Sequence, residues 1–268
     1  MNNKMPALFV GHGSPMNALD AQNPFNQNFA HVTASFAKPK AILCISAHWY
    51  GKGLHIMSHP NPPMIYDFYG FPEALSQVDY PAPGSAELVT QVQELLKDEA
   101  LQLDPERGFD HGAWAVLKHL YPAADIPVVQ LSLDATKSPQ WHVELAKKLA
   151  PLREQGVLIL GSGDIVHNLR AMSREHVDEI GAGYDWAFAF RDQINQAIAE
   201  NNLNALVHFE QFGEAAQLSV PTPEHYLPLL YVMAMREETD DVTIFNDVLV
   251  GGSISMTSVL VGETSLNS

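Results

Sequence analysis

Short runs of Val, Ile and Leu alternate along the chain with longer stretches whose apolar residues recur every three or four positions. The short runs predict strands at Ala7–Val10, Ala41–Ser46, Pro127–Leu133, Val157–Leu160, Val242–Phe245 and Ile254–Leu260. Several are continuous rather than alternating, as expected of strands covered on both faces. The longer stretches predict helices. Ser85–Glu99 starts on a serine and carries Leu88, Val92, Leu95 and Leu96 at helical spacing. Gly112–Leu120, Pro139–Ala150 and Asp185–Glu200 read similarly, and Glu224–Arg236 opens after the cap-and-proline pair Thr222-Pro223. This alternation predicts an α/β fold. We expect one domain over residues 1–268, with a central mostly parallel or mixed sheet flanked by helices on both faces.

Two stretches lack periodicity, Pro15–Lys38 and Gly51–Pro83. The second is rich in proline and holds Tyr66, Phe68, Tyr69, Phe71 and Tyr80. Long aperiodic segments in a compact domain are usually functional or disordered, and the aromatic content here predicts a packed, site-forming loop.

Composition narrows the function classes. Lys plus Arg total 15 against 31 Asp plus Glu, a formal net charge of −16. Such a surface repels phosphate backbones and anionic lipid, so neither nucleic acid nor membrane is expected as a partner. The apolar run Ala7–Val10 is too short for a secretory signal core. The run Leu227–Met235 contains Pro228 and is too short to span a bilayer. The lone cysteine, Cys44, excludes an intrachain disulfide framework and a cysteine-based zinc cluster. Lying within Ala41–Ser46, it reads as a buried, inert thiol, and the expected location is the reduced cytoplasm. Oligomeric state is not legible.

The histidine count of 12 nearly matches that of Lys plus Arg. In open α/β sheets ligands bind beyond the carboxyl ends of the strands, so position relative to strand ends separates the histidines. His12, flanked by Gly11 and Gly13, follows the first strand, and His48 follows the second. His167 follows the strand Val157–Leu160 and the turn Gly161-Ser162-Gly163-Asp164. His225 opens the last long helix, and His111 directly precedes the helix at Gly112. These five form a candidate site. Imidazole is the commonest metal-binding side chain and titrates near neutrality. Each of the five alone would read as a loop or helix-start residue. His31, His55, His59, His119, His142, His176 and His208 are read as ordinary surface or structural histidines. Asp164, Asp110 and Glu224 each neighbour a candidate histidine and could orient an imidazole or cap a helix.

Other chemistries lack their patterns. Gly161-Ser162-Gly163 is not continued into a G-x-G-x-x-G fingerprint, because Val166 stands at its last position. There is no phosphate-binding G-x-x-x-x-G-K-[ST] loop and no G-x-S-x-G elbow to activate Ser14, Ser46 or Ser162.

The blocks Gly11-His12-Gly13-Ser14-Pro15, Ser46-Ala47-His48-Trp49, Gly108-Phe109-Asp110-His111-Gly112, Val166-His167-Asn168-Leu169 and Thr222-Pro223-Glu224-His225-Tyr226-Leu227-Pro228 resemble the class III extradiol ring-cleavage dioxygenases. Within that class the chain is most similar to the 4,5-DOPA extradiol branch. The loop from Pro62 to Pro72 and the segment Tyr80-Pro81-Ala82-Pro83-Gly84 share in the likeness, which runs from about Phe9 to about Leu260.

The resemblance implies one mononuclear non-haem divalent metal, with Fe(II) expected for activity and Zn(II) able to occupy the same site. Its ligands would be His12, His48 and His225, with His167 a fourth histidine at the metal. His111 and His167 would be the catalytic acid/base residues, and the substrates a DOPA-like catechol and O2. The wider class places a carboxylate in its ligand set. Here that position falls on the adjacent pair Glu224-His225, and the branch resemblance favours His225. The aromatic loop, through Tyr66, Phe68 and Tyr69, would wall the ring, and Arg170, Arg107 and Lys118 are candidates for a locally basic pocket. The same histidines would also serve a zinc hydrolase or a non-catalytic metal-binding protein.

Overall fold

The computed structural model describes residues 4–173, 175 and 179–263. In chain order the first half runs β1 (Ala7–Gly11), α1 (Pro24–Thr33), β2 (Ala41–Gly51), β3 (Leu54–Met57), α2 (Ala86–Leu95), β4 (Leu101–Asp104), α3 (His111–Leu120) and β5 (Val128–Asp134). The second half runs α4 (Pro139–Leu149), β6 (Val157–Gly163), α5 (Asp185–Ala199), α6 (Leu203–Val207), α7 (Glu214–Ser219), α8 (Leu227–Ala234), β7 (Val242–Phe245), β8 (Leu249–Val250), β9 (Ile254–Ser255) and β10 (Ser258–Val261). Eight strands form one mixed sheet in the order β4-β3-β5-β2-β6-β1-β10-β7, and β8 pairs β9 in a separate ribbon. The four central strands β5, β2, β6 and β1 are mutually parallel. Antiparallel pairings enter where β3 meets β5 and where β10 meets β1 and β7. The expected single-domain α/β class with a mixed sheet is therefore met.

The continuous apolar runs are explained by burial on two sides. Side chains alternate across a strand. Ala7 and Phe9 of β1 enter one core with Leu43, Val129 and Ile159, against α2, α4, α5 and α8. Leu8 and Val10 enter the other with Ile42, Cys44, Val128 and Leu160, against α1 and α3. Each fully buried Leu, Ile or Val contributes about 1.5–3 kcal/mol, so both faces are held strongly. Cys44 is buried in the second core, as expected.

Differences from the expected elements have local causes. The stretch Pro15–Lys38 contains a helix, α1. Asn23 caps it by accepting from the Phe25 N–H, Pro24 fills its first turn, and Phe25, Phe29 and Val32 bury one face. β3, a short strand, and a 3-10 turn at Glu73–Gln77 lie inside the expected loop Gly51–Pro83. The expected helix Glu224–Arg236 is divided into a 3-10 turn at Pro223–His225 followed by α8. Pro228 lacks the N–H and its ring clashes with the carbonyl four residues back, so an α-helix cannot run through Glu224. The expected strand Ile254–Leu260 is two strands, β9 and β10, on different sheets. Among the described residues no helix is long and apolar enough to cross a membrane.

Candidate metal centre

The carboxyl ends of β1, β2 and β6 deliver three of the five candidate histidines to one place. β1 ends at Gly11 and His12 follows, its backbone N–H donating to the carbonyl of Gly163 at the end of β6. β2 does not stop at Ser46 but continues to Gly51, with a shift in its register against β5 between Ile45 and Tyr50. Such irregularities re-aim side chains, and His48 lies within this one. Gly112 makes room for it, since a β-carbon there would stand 2.7 Å from the His48 ring. His167 lies four residues beyond β6, and His111 is the first residue of α3. The turn Pro223–His225 brings the fifth, clamped where the Asp164 N–H donates to the His225 carbonyl at 2.9 Å.

All five meet. The ring centres of His12, His48 and His225 form a nearly equilateral triangle with sides of 5.1, 5.2 and 5.1 Å. Three imidazoles that bind one ion at about 2.1 Å have ring centres roughly 5 Å apart. His111 lies against His48 at 3.8 Å, and His167 lies flat on His225 at 3.4 Å with 4° between the planes. His167 thus reaches the cluster through His225 and Glu224 rather than through His12 or His48.

Hydrogen bonds fix which nitrogen faces inward. Ser162 Oγ donates to the Gly112 carbonyl at 2.5 Å, so towards His12 Nδ1, 3.0 Å away, it accepts. His12 therefore carries its proton on Nδ1 and turns a bare Nε2 to the centre. Asp67 accepts from His111 Nδ1 at 3.0 Å and lies 3.4 Å from His48 Nδ1. Glu224 lies 3.4 Å from His225 Nδ1 and is itself held by the Thr222 hydroxyl. Nε2 of His225 is buried and has no hydrogen-bond partner. Nε2 of His12 and of His48 stand 3.3 Å apart. Asp164 Oδ2, also buried and without a partner, stands 3.3 Å from His12 Nε2. Burial, reinforced by the neighbouring histidines, holds His12 and His225 well below the usual imidazole range. Burial likewise lowers His48 and His167 to about 4. The contact of His12 with Asp164 is therefore not an ion pair at neutral pH, and burial pushes the Asp164 carboxyl up. Nε2 of His225 and Oδ2 of Asp164 are thus left without hydrogen-bond partners beside Nε2 of His12. That arrangement is costly unless a cation lies between them, and the donor set fits a divalent metal.

Of the carboxylates flagged from sequence, only Glu224 contacts the inward-facing imidazoles through Nδ1. Asp110 instead caps α3 and accepts from Ser46 Oγ, Gln130 Nε2 and Arg107 Nη2. Asp67 was missed. Its only signal was its place in the aromatic loop. Within that loop Phe68 meets His111 edge-on at 5.8 Å, whereas Tyr66 donates its hydroxyl to the Val78 carbonyl and Tyr69 is 96% exposed. Of the three basic residues considered, Arg107 lies beneath His48, donating to its carbonyl and stacking over Trp49. Arg170 is exposed and Lys118 lies two turns along α3. His142 is buried structurally, between Tyr231 and Asp134, and His176 lies outside the described residues.

An α/β sheet with clustered imidazoles at its carboxyl edge forms a histidine-rich site that could hold a metal ion. Residues 6–240 match the family of the catalytic LigB subunit of aromatic ring-opening dioxygenases, and the chain belongs to this family of metal-dependent enzymes. It is similar to a 4,5-DOPA dioxygenase extradiol from Escherichia coli (strain K12), 43% identical over 97% of this chain and 95% of that one. It is also similar to one from Beta vulgaris, 36% identical over 95% of each. The crystal structure of an uncharacterized Escherichia coli K12 protein superposes with a TM-score of 0.84 at 38% identity, covering 97% of this chain and 100% of that one. The chain is accordingly an enzyme of the extradiol dioxygenase type, which sets aside the hydrolase and the non-catalytic alternatives.

Proposed function

We propose that this enzyme opens the ring of a DOPA-like catechol with O2 at one divalent metal held by His12, His48 and His225. The observation that carries this reading is the 5.1–5.2 Å triangle of those rings. These three imidazoles would hold the ion through their ring nitrogens. Fe(II), when bound, supplies redox contact between singlet catechol and triplet O2 and open positions for both.

The chain's own residues handle protons and position. His111, with Nδ1–H on Asp67, presents a bare Nε2 that can take a phenolic proton from an arriving catechol and return it later. His167 is the second acid/base residue. Its stack on His225 suits this role better than that of a fourth ligand, because parallel rings do not aim their lone pairs at one point. Phe68 lies edge-on to the His111 ring and would wall that side of the substrate. The reading has a cytoplasmic setting and involves neither nucleic acid nor lipid, in keeping with the net charge of −16.

The test is anaerobic reconstitution with Fe(II) or Zn(II), addition of DOPA, then admission of O2. Oxygen uptake and a yellow product with iron alone are expected. Absence of uptake with fully loaded iron protein, for DOPA and simple catechols alike, would overturn the proposal. His12→Ala and His48→Ala should each abolish metal retention, while His111→Ala keeps metal and loses turnover by about 10²–10⁴-fold. Full occupancy in His48→Ala by elemental analysis would remove that residue from the ligand set.

A further inference from the structure

Asp67 touches two histidines with different tasks. Its Oδ1 accepts from both the backbone N–H and Nδ1 of His111, each at 3.0 Å, and its Oδ2 stands 3.4 Å from His48 Nδ1. The backbone bond satisfies a donor that the start of α3 would otherwise leave open. The loop that carries Asp67 is held firmly on both sides of it. The Ile65 N–H donates to the Phe109 carbonyl at 2.7 Å and the Phe109 N–H to the Pro63 carbonyl at 2.8 Å. Trp114 Nε1 donates to the Ile65 carbonyl, and Phe68 packs edge-on to Trp114 and His111.

A carboxylate has no proton to give, so the His111 Nδ1 bonded to it carries one, and its nearness favours a proton on His48 Nδ1 as well. Both rings then present bare Nε2 atoms on the inner side, where those of His12 and His48 already stand 3.3 Å apart. We propose that Asp67 is a positioning residue that sets the tautomer of a metal ligand, His48, and of the acid/base residue, His111, with one side chain. The proposal rests on the roles assigned above.

Asp67→Ala removes the acceptor from both rings, whereas an amide oxygen in the place of Oδ1 would keep both bonds to His111. Without the carboxylate the His111 ring reverts to the tautomer protonated on Nε2 that a free imidazole prefers, which is useless as a base. Long-range 1H–15N correlation of the histidine rings in zinc-loaded protein reads this without any turnover. Wild type should show His111 protonated on Nδ1, and the variant should show it protonated on Nε2. With iron and a catechol, kcat should fall about 10²–10³-fold with KM changed less than about threefold. Asp67→Glu, which retains a carboxylate, should keep the Nδ1–H signal. An unchanged His111 tautomer in Asp67→Ala would overturn the proposal whatever the substrate proves to be. If neither protein turns over catechols but the tautomer switches, the positioning role stands and the proposed function fails. An intact circular dichroism spectrum confirms that the variant folds.

Discussion

The backbone of His225 lies against Gly163 so closely that a β-carbon at position 163 would stand 2.1 Å from the His225 carbonyl oxygen. The end of β6 and the turn Pro223–His225 are thus fitted together without a side chain between them, and the Asp164 N–H closes the contact with a hydrogen bond of 2.9 Å. Gly163→Ala must push the turn away, because the obstruction is main chain on both sides. We expect His225 to leave the triangle and affinity for divalent metal to fall at least tenfold, with a loss of about 1–3 kcal/mol in stability. Metal titration by calorimetry beside a chemical denaturation curve checks both. Wild-type affinity in a folded Gly163→Ala protein would show that the close approach does not place His225.

Asp164→Asn probes the unpartnered oxygen beside His12. The amide oxygen can keep the bond from the Gly13 N–H, 3.0 Å in the present structure, while the amide nitrogen takes the place of Oδ2. That nitrogen donates to the bare Nε2 of His12 and occupies the lone pair a metal would use. A carboxyl could shed a proton to make way for a cation, whereas an amide cannot. Metal affinity should therefore fall tenfold or more, while the chelator-treated variant melts no lower than wild type. Equal affinity in the two proteins would mean that Nε2 of His12 is not a ligand.

The central parallel strands and four of the helices were legible in the sequence because each carries a continuous or periodic apolar signal. β4 was not, since Gln102 and Leu103 are exposed and no buried face marks it. α1 was missed although Asn23-Pro24 announced it, because Phe25, Phe29 and Val32 are diluted by Asn and Gln. The five histidines that cluster together were legible from strand ends, a helix start and glycine-flanked turns. Their supporting atoms were less so. Ser162 acts through a tautomer, Asp67 lies 44 residues from His111, and Asp110 braces α3 rather than an imidazole. Such contacts depend on how loops fold over the sheet, which no local spacing encodes.

Arg153 is a separate point of vulnerability, away from the metal centre. Its guanidinium is buried, pairs with both oxygens of Asp240 at 2.7 and 3.0 Å, and donates to the carbonyls of Met5, Met235 and Val261. Burial opposes the charge on Asp240, but Arg153 holds its carboxyl below the usual range. Arg153→Met leaves that carboxylate with Lys4, 3.4 Å away, and the Glu237 N–H, 2.9 Å away, and takes a donor from three carbonyls. A loss of about 3–5 kcal/mol is expected. Arg153→Lys should recover little of it, because an ammonium cannot reproduce the forked geometry. Urea denaturation measures both variants, and a change below about 1 kcal/mol in Arg153→Met would contradict the argument.

His142 should make the fold acid-sensitive. It is buried between the Tyr231 hydroxyl, 2.9 Å from Nδ1, and the Asp134 carbonyl, 3.2 Å from Nε2. Burial lowers its pKa to about 4, against about 6.5 for an exposed imidazole. Between these values the unfolded chain binds a proton that the folded chain refuses, so stability rises with pH across that window. The contribution of neutral His142 is thus full above about pH 6.5, declines as pH falls and is lost below about 4. The shift corresponds to roughly 3 kcal/mol. The buried site histidines add their own acid sensitivity, so the informative quantity is a difference between proteins. His142→Gln retains a polar side chain and does not titrate. Its stability relative to wild type should improve by about 3 kcal/mol between pH 6.5 and pH 4, read from urea midpoints in chelator. Parallel pH profiles for the two proteins would show that His142 takes up its proton without loss of structure.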